Sequence, residues 1–236
     1  MTPARGRGAR RPKVASLACA LIAVCASLAD CGRPTAPANE CDQAHGDATE
    51  VVALGDSIAA GTYLSAPDRW TDQLEQILDS RLPKKGLTVT NRGAAGAEVD
   101  GLEAAVGRTD IRDFDVAIVI EGVNDVGKTS IEDWAARYEQ SVISLEAIGL
   151  EVVVGTAPPA LRDGQFLDTY NETAARLRAI AGSKRTLLDI DARWRSLGAA
   201  TVSGYYADLL HQTKSGQTAQ AQLAADVLLG LVGDAC

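Results

Sequence analysis

Residues 51–61, VVALGDSIAAG, combine a short apolar run with an abrupt change to small and polar residues. The run of four apolar residues at 51–54 is typical of a buried strand, which Gly55 would end. Asp56 and Ser57 then stand where the strand stops. A serine at such a position is either the N-cap of a helix or a nucleophile, and in isolation the cap is the commoner role.

Four further segments are also predicted to be strands. They cover residues 87–90, 116–120, 152–154 and 186–190, and the second of them is the strongest strand signal in the chain. Apolar strands that alternate with amphipathic helices predict a parallel sheet covered by helices on both faces. We therefore expect a single α/β domain built on a five-stranded parallel sheet.

Helical periodicity separates these strands. Apolar residues recur at helical spacing over residues 70–82, 131–148 and 166–181, and again in a last helix that includes residues 223–231. Residues 191–211 lack such a pattern and are predicted to be a long irregular connection. Connections of that length often line binding sites.

Ligands of open parallel sheets bind beyond the carboxyl ends of the strands. The loops expected there carry GDS (55–57), NRGAAG (91–96), EGVND (121–125) and YYADLLH (205–211). Each has an ordinary structural explanation when taken singly, such as a turn at Gly93 and Gly96 or a structural role for His211. Their common position at one edge of the sheet indicates a functional site.

These motifs resemble those of the SGNH/GDSL hydrolase family, with Ile58 in place of the leucine of the family name. The resemblance extends over about residues 51–230. It implies a flavodoxin-like three-layer α/β/α sandwich, in agreement with the strand pattern. It also implies an esterase that needs no cofactor, and the sequence contains no cysteine and histidine spacing typical of a metal site.

The family's roles can be transferred to the matching residues of this chain. Ser57 corresponds to the nucleophile, His211 to the general base and Asp208 to the acid that orients the imidazole. The backbone N–H groups of Ser57 and Gly96 and the side-chain amide of Asn124 correspond to the oxyanion hole.

Two other residues of these motifs are given lesser roles. Gly93 is a weaker choice than Gly96 for the backbone donor. Asp125 is expected to brace its loop without taking part in bond cleavage.

The expected reaction is hydrolysis of a carboxylic ester through an acyl-enzyme on Ser57. The low aromatic content of 4% and the lack of an apolar lid segment favour short acyl or acetyl groups on a small-molecule or carbohydrate ester. Four aromatic residues near the motifs could contact a sugar or an acyl chain, or simply pack the loops: Tyr63, Trp194, Tyr205 and Tyr206. The alternatives are a non-catalytic exported glycan-binding module, and a lipase, thioesterase or acyltransferase that uses the same residues.

The N-terminus predicts export. A basic segment precedes the 16-residue apolar run at 14–29, so residues 1–29 are interpreted as a signal peptide, and the polar residues 30–48 as a flexible tether. Residues 49–236 then form the hydrolase domain. Cys31 stands in a sequence similar to a lipoprotein box, so the protein is expected to be secreted or held in the cell envelope, and to contact a membrane only if Cys31 is lipidated.

Charge and cysteine content limit the partners further. The net charge is −8, and five of the 23 basic residues lie before residue 14, so the domain itself is strongly acidic and unsuited to nucleic acid. Export favours a disulfide, which we expect between Cys41 and Cys236, with Cys31–Cys41 as the competing pair. His45 is interpreted as a solvated tether residue, and the protein as a monomer.

Overall fold

The computed structural model describes residues 49–83 and 85–233. The predicted signal peptide, the tether and the cysteines of the predicted disulfide all lie outside these residues. Within them, no helix carries an apolar stretch long enough to cross a bilayer.

The strands form one principal sheet and one small hairpin. In chain order the strands are β1 (Glu50–Gly55), β2 (Thr88–Asn91), β3 (Val116–Ile120), β4 (Glu151–Gly155), β5 (Leu161–Arg162), β6 (Gln165–Phe166) and β7 (Thr186–Leu188). Five of them pair in the order β2-β1-β3-β4-β7, and every pairing is parallel. This is the strand order of flavodoxin-like folds, in which the order of addition of strands reverses between β1 and the third strand. The remaining two form the antiparallel hairpin β5–β6.

Helices connect the strands. They are α1 (Ser57–Ala60), α2 (Trp70–Arg81), α3 (Val99–Val106), α4 (Ile131–Ala147), α5 (Asn171–Ala181), α6 (Ile190–Leu197), α7 (Ala199–Val202) and α8 (Lys214–Gly233). Two short 3₁₀ segments, Thr109–Asp113 and Ser203–Tyr205, complete the described secondary structure.

Each face of the sheet packs against its own set of helices. Alternate strand residues point to opposite faces, so Val51 and Ala53 join a core with α1, α2, α6 and α8. Val52 and Leu54 join a second core with α3, α4 and α5. The three-layer α/β/α sandwich with a five-stranded parallel sheet, predicted from the sequence, is therefore confirmed.

The prediction of an irregular connection at 191–211 is wrong for its first half. The strand predicted at 186–190 ends at Leu188, and Ile190 instead begins α6. The Asp189 side chain caps this helix by accepting a hydrogen bond from the backbone N–H of Ala192 at 3.0 Å. Ile190 and Trp194 are both buried and are four residues apart, as on one face of a helix. The strand prediction assigned Ile190 to the sheet and so missed this helical spacing.

Two other boundaries differ from the prediction. Phe166 lies in β6, and α5 begins only at Asn171, because the hairpin β5–β6 occupies the preceding residues. Helix α3 was not predicted, and its interior Gly101 lowers the helix propensity of that stretch.

The sheet brings three of the polar loops together. Strand β1 lies between β2 and β3, so their carboxyl ends are neighbours. The backbone N–H of Ala94 donates to the Gly55 carbonyl at 2.8 Å, and that of Asp56 donates to the Ile120 carbonyl at 3.1 Å. The loops after β1, β2 and β3 are thus joined directly to one another.

Candidate active site

Ser57 is the first residue of α1 and follows β1 after a single intervening residue. The N-cap of this helix is Asp56, whose Oδ1 accepts the N–H of Ile58 at 2.8 Å. The interpretation of Ser57 as an ordinary cap is therefore wrong, and its hydroxyl is left for another partner. The side chain lies at the edge of the protein interior, with Ser57 only 6% exposed.

The partner of the Ser57 hydroxyl is His211, which lies 154 residues further along the chain. His211 Nε2 lies 2.9 Å from Ser57 Oγ, and His211 Nδ1 lies 2.8 Å from Asp208 Oδ2. The neutral tautomer that satisfies both contacts carries its proton on Nδ1 and accepts the serine hydroxyl on Nε2. The arrangement can therefore remove a proton from serine and hold the resulting imidazolium against a carboxylate.

Asp208 is held in its ionised form by local hydrogen bonds. Its Oδ1 accepts the backbone N–H groups of Leu210 at 2.8 Å and His211 at 2.7 Å. Partial burial alone would raise the pKa of Asp208, but these bonds and the His211 ring outweigh it and lower the pKa to about 2.

The turn that carries Asp208 and His211 is fastened by backbone hydrogen bonds. The N–H of Ala207 donates to the His211 carbonyl at 2.8 Å, and the N–H of Leu161 in the small hairpin donates to the Leu209 carbonyl at the same distance. These hydrogen bonds hold the turn in place, although it lies on the protein surface.

The loop after β2 packs on the backbone of α1. A Cβ atom built on Gly93 would stand 2.2 Å from the Ala60 nitrogen, so glycine is required for this approach. The Asn91 side chain completes the contact: Oδ1 accepts the Gly93 N–H at 3.0 Å, and Nδ2 donates to the Ala59 carbonyl at 3.1 Å. This role of Asn91 was not predicted from the sequence, although the residue begins the NRGAAG motif.

Gly96 and Asn124 lie on the loops to either side of Ser57. Gly96 has a positive φ of 80°, and its N–H has no hydrogen-bond partner among the described residues. Asn124 Nδ2 donates one hydrogen to the Ala97 carbonyl at 2.8 Å, which joins the two loops, and an amide has a second hydrogen to donate. These donors, with the Ser57 N–H, can bind a negatively charged oxygen.

Three carboxyl groups are buried beneath these loops. Asp56 is fully buried, and burial outweighs its hydrogen bonds and raises its pKa to about 6. Burial, together with the charges of Asp56 and Asp125, raises the pKa of Glu121 to about 10. Burial also raises the pKa of Asp125. The predicted bracing role of Asp125 agrees with its Oδ1, which accepts the Val99 N–H at the start of α3 at 3.2 Å.

Tyr63 is the aromatic residue that contacts the proposed base. Its ring centroid lies 5.0 Å from that of His211 at an interplanar angle of 66°. Interaction of its hydroxyl with the Asp208 carboxylate raises the pKa of Tyr63, and the residue is 68% exposed. It also has a positive φ of 75°, which is uncommon for a residue other than glycine.

The other aromatic residues near the motifs serve packing. Trp194 is buried in the core with Tyr205 against it, at a centroid distance of 5.7 Å. The Tyr206 hydroxyl donates to the Pro159 carbonyl at 2.6 Å. For these three residues the loop-packing interpretation agrees with the observed contacts.

The profile of the GDSL-like lipase/acylhydrolase family matches residues 53–219, which include every motif described above. The chain belongs to this family. The resemblance inferred from the sequence motifs is thereby confirmed. No curated protein sequence matches the chain.

Several solved structures of lipases and esterases are similar to this one. The lipase/acylhydrolase from Enterococcus faecalis is 18% identical, with a TM-score of 0.64 over 77% of this chain and 96% of its own. The acetyl xylan esterase AlAXEase is 16% identical, with a TM-score of 0.65 over 76% and 99%. An acetylxylan esterase from Geobacillus stearothermophilus is 17% identical, with a TM-score of 0.64 over 80% and 95%. At these identities the similarity establishes a common fold.

Proposed function

We propose that this protein is a serine esterase that hydrolyses carboxylic esters through an acyl-enzyme on Ser57. The observation that carries the proposal is the unbroken series of contacts from the Ser57 hydroxyl through the His211 ring to Asp208, at 2.9 and 2.8 Å. Membership of a family of lipases and acylhydrolases supports the same chemistry.

The first half of the reaction forms the acyl-enzyme. His211 Nε2 takes the hydroxyl proton as Ser57 Oγ attacks the ester carbonyl, and Asp208 stabilises the imidazolium that results. The carbonyl oxygen becomes negatively charged and is bound by the N–H groups of Ser57 and Gly96 and the amide of Asn124. The intermediate collapses when the bond to the alcohol oxygen breaks, and His211 gives its proton to that oxygen.

The second half releases the acid. A water molecule loses a proton to His211 and attacks the acyl carbon, and the negative charge develops on the same oxygen. When the bond to Ser57 Oγ breaks, His211 returns the proton to the serine. The carboxylic acid leaves, and the starting state is restored.

We propose short acyl groups, acetyl above all, on a carbohydrate or other small alcohol. The aromatic content of 4% and the lack of a long apolar lid segment in the sequence offer little to bind a long acyl chain. Two of the structurally similar proteins are acetylxylan esterases, which supports acetylated carbohydrate as the first substrate to assay.

The decisive experiment compares the natural protein with Ser57→Ala on p-nitrophenyl acetate. We expect turnover to fall to the background of the uncatalysed reaction, together with loss of labelling by a serine-reactive phosphonate. Undiminished turnover in Ser57→Ala would refute the assignment. A protein that binds xylan but takes up no phosphonate would instead be a glycan-binding module.

The acyl preference is tested with p-nitrophenyl esters of increasing chain length, beside acetylated xylan. We expect kcat/KM to be highest for acetate and to fall as the chain lengthens. A maximum at long chains would assign the protein to the lipases instead.

We further propose that the protein is exported, on the basis of the basic and apolar segments within residues 1–29. Intact-mass measurement of the mature protein tests this, because cleavage removes the segment and lipidation of Cys31 adds a diacylglyceryl group. A non-reducing peptide map distinguishes the proposed Cys41–Cys236 disulfide from the Cys31–Cys41 pair.

A further inference from the structure

Two buried carboxyl groups lie on either side of Asn124 in the loop after β3. Glu121 is 1% exposed, and its Oε1 accepts the Gly122 N–H at 2.9 Å. Asp125 uses its Oδ1 to accept the Val99 N–H at 3.2 Å. The second oxygens of both groups are buried, and no N–H or hydroxyl group of the described residues donates to either.

Each carboxyl group acts electrostatically on the other, and a hydrogen bond between them would satisfy the two oxygens that lack a donor. A hydrogen bond between two carboxyl groups requires a proton on one of them, because two carboxylates have only acceptor oxygens to offer. Two ionised groups in the same buried place would also repel each other strongly. We propose that Glu121 is a permanently protonated positioning residue that donates this hydrogen bond to Asp125 and so fixes the orientation of Asn124.

The surroundings decide which group holds the proton. Glu121 is enclosed by protein and faces the carboxyl group of Asp56 as well as that of Asp125, so its ionised form is disfavoured twice. Burial and the charge of Glu98 disfavour ionised Asp125, but the N–H of Val99 and the ammonium group of Lys128 favour it. The proton therefore resides on Glu121.

This pair extends a series of carboxyl contacts along the loop. Asp56 Oδ2 accepts the Val123 N–H at 3.4 Å, and Glu121 accepts that of the preceding residue, Gly122. Asn124 is thus fixed from its N-terminal side by Asp56 and Glu121 and from its C-terminal side by Asp125. A neutral acid supplies this restraint without adding negative charge beside the position where the oxyanion develops.

The inference rests on the proposed function only in its last step, the effect on Asn124. The proton itself can be tested without any assay of activity. At pH 8, infrared spectra of the natural protein should contain the carbonyl stretch of a protonated carboxylic acid. We expect this band to be absent from Glu121→Gln and retained in the control Glu172→Gln, which removes an exposed glutamate of α5. A band that persists in Glu121→Gln, or that the natural protein lacks, would overturn the proposal.

The pH dependence of unfolding provides an independent test. The groups that face Glu121 are Asp56, Asp125 and the buried hydroxyl of Tyr138, and Glu98, Lys128 and His211 face its two carboxyl neighbours. Because burial raises the pKa of Glu121 above its unfolded value, its contribution to stability is greatest below about pH 4 and declines towards pH 10.

We therefore expect the urea midpoint of the natural protein and of Glu172→Gln to fall more steeply between pH 5 and pH 9 than that of Glu121→Gln. Parallel curves for all three proteins would contradict a raised proton affinity at Glu121.

Kinetics test the positioning role. Glu121→Gln keeps an N–H donor for Asp125, and we expect it to retain most of kcat. Glu121→Met has similar length but no donor, and we expect kcat to fall about 10- to 100-fold with a smaller change in KM, as for a misplaced oxyanion donor. Equal losses in the two variants, or full activity in Glu121→Met, would refute the role.

The two proposals fail in different ways. If Ser57 is not the nucleophile, phosphonate labelling fails while the infrared and urea results stand. If Glu121→Met does not fold, the comparison of Glu121→Gln with Glu172→Gln still decides where the proton lies.

Discussion

Two aspartates stand beside the proposed nucleophile and its base, and their surroundings are opposite. Asp56 precedes Ser57, is fully buried, and has its pKa raised to about 6 by burial. Asp208 lies three residues before His211 with a side chain 39% exposed, and local hydrogen bonds lower its pKa to about 2 in spite of partial burial. The same residue type thus acts as a buried brace in one region and as a surface anion in the other.

The difference shows how the site is divided between the sheet and the surface. Ser57, Gly96 and Asn124 are held on loops that the three neighbouring strands β2, β1 and β3 bring together from the interior. His211 and Asp208 depend on a surface turn with a few backbone hydrogen bonds. Changes on the surface side should therefore affect chemistry with little effect on folding, whereas changes on the interior side should affect both.

The largest effect is expected for Asp208→Asn. An amide in this position favours the wrong tautomer of His211, and in a serine–histidine–aspartate site this lowers kcat by roughly 10⁴-fold. Turnover of p-nitrophenyl acetate measures the loss, and circular dichroism should show an unchanged fold. The control Asp79→Asn alters an exposed residue of α2 and should be fully active. An active Asp208→Asn would show that catalysis does not require the Asp208 carboxylate.

Asn124→Ala should have the next largest effect. Loss of one oxyanion donor typically lowers kcat by about 10²- to 10³-fold, with KM affected less because the interaction forms in the transition state. Steady-state kinetics on p-nitrophenyl acetate separate the two constants. The control Gln140→Ala removes an exposed amide on α4 and should leave both unchanged. A rise in KM at constant kcat would instead place Asn124 in ground-state binding.

The two aspartates should also give opposite pH dependences of stability. The raised pKa of Asp56 means that its contribution is present below about pH 4 and is lost as the pH rises through 6, by about 3 kcal/mol for a buried group. The lowered pKa of Asp208 means that its contribution is present above about pH 4 and is lost as the pH falls through 2.

Urea unfolding of the natural protein, Asp56→Asn and Asp208→Asn across this range checks both signs. We expect Asp56→Asn to flatten the decline between pH 4 and pH 6, and Asp208→Asn to flatten the decline below pH 4. Identical slopes in all three proteins would show that the two environments do not differ.

The smallest effect is expected for Tyr63→Phe. The ring that packs against His211 is kept, and only the hydroxyl, which interacts with the Asp208 carboxylate, is lost. Loss of one exposed polar interaction is worth about 1 kcal/mol, so kcat/KM should change less than about tenfold. A more basic Asp208 should move the acid limb of the pH–rate profile to higher pH. Tyr63→Leu, which also removes the ring, serves for comparison, and an unmoved profile in both would assign Tyr63 to packing alone.

The sequence predicted most of the fold because the central strands are buried on both faces. Residues 116–120 form a continuous apolar run, and β3 has these same limits. The prediction failed at Ile190, which was included in the strand although Asp189 separates it from Leu188 and caps the following helix. It also missed α3, in which Gly101 interrupts the helical pattern.

The candidate site was predicted from motifs in part only. The order of the motifs predicts Ser57 and His211 as nucleophile and base, and in the structure the two side chains are in contact. No role in the site is predicted for Asp56 or Glu121. Their burial depends on the packing of distant loops, and no local pattern of residue types records it.

Ser57 and His211 are 154 residues apart along the chain. A ribosome that has synthesised the entire sheet has therefore still not delivered the base to the nucleophile. If the proposed function holds, an incomplete translation product is inert towards the esters of the cell that makes it. Hydrolytic activity is then conferred by a segment that is synthesised only after all five strands of the sheet, so that the order of synthesis itself delays the activity.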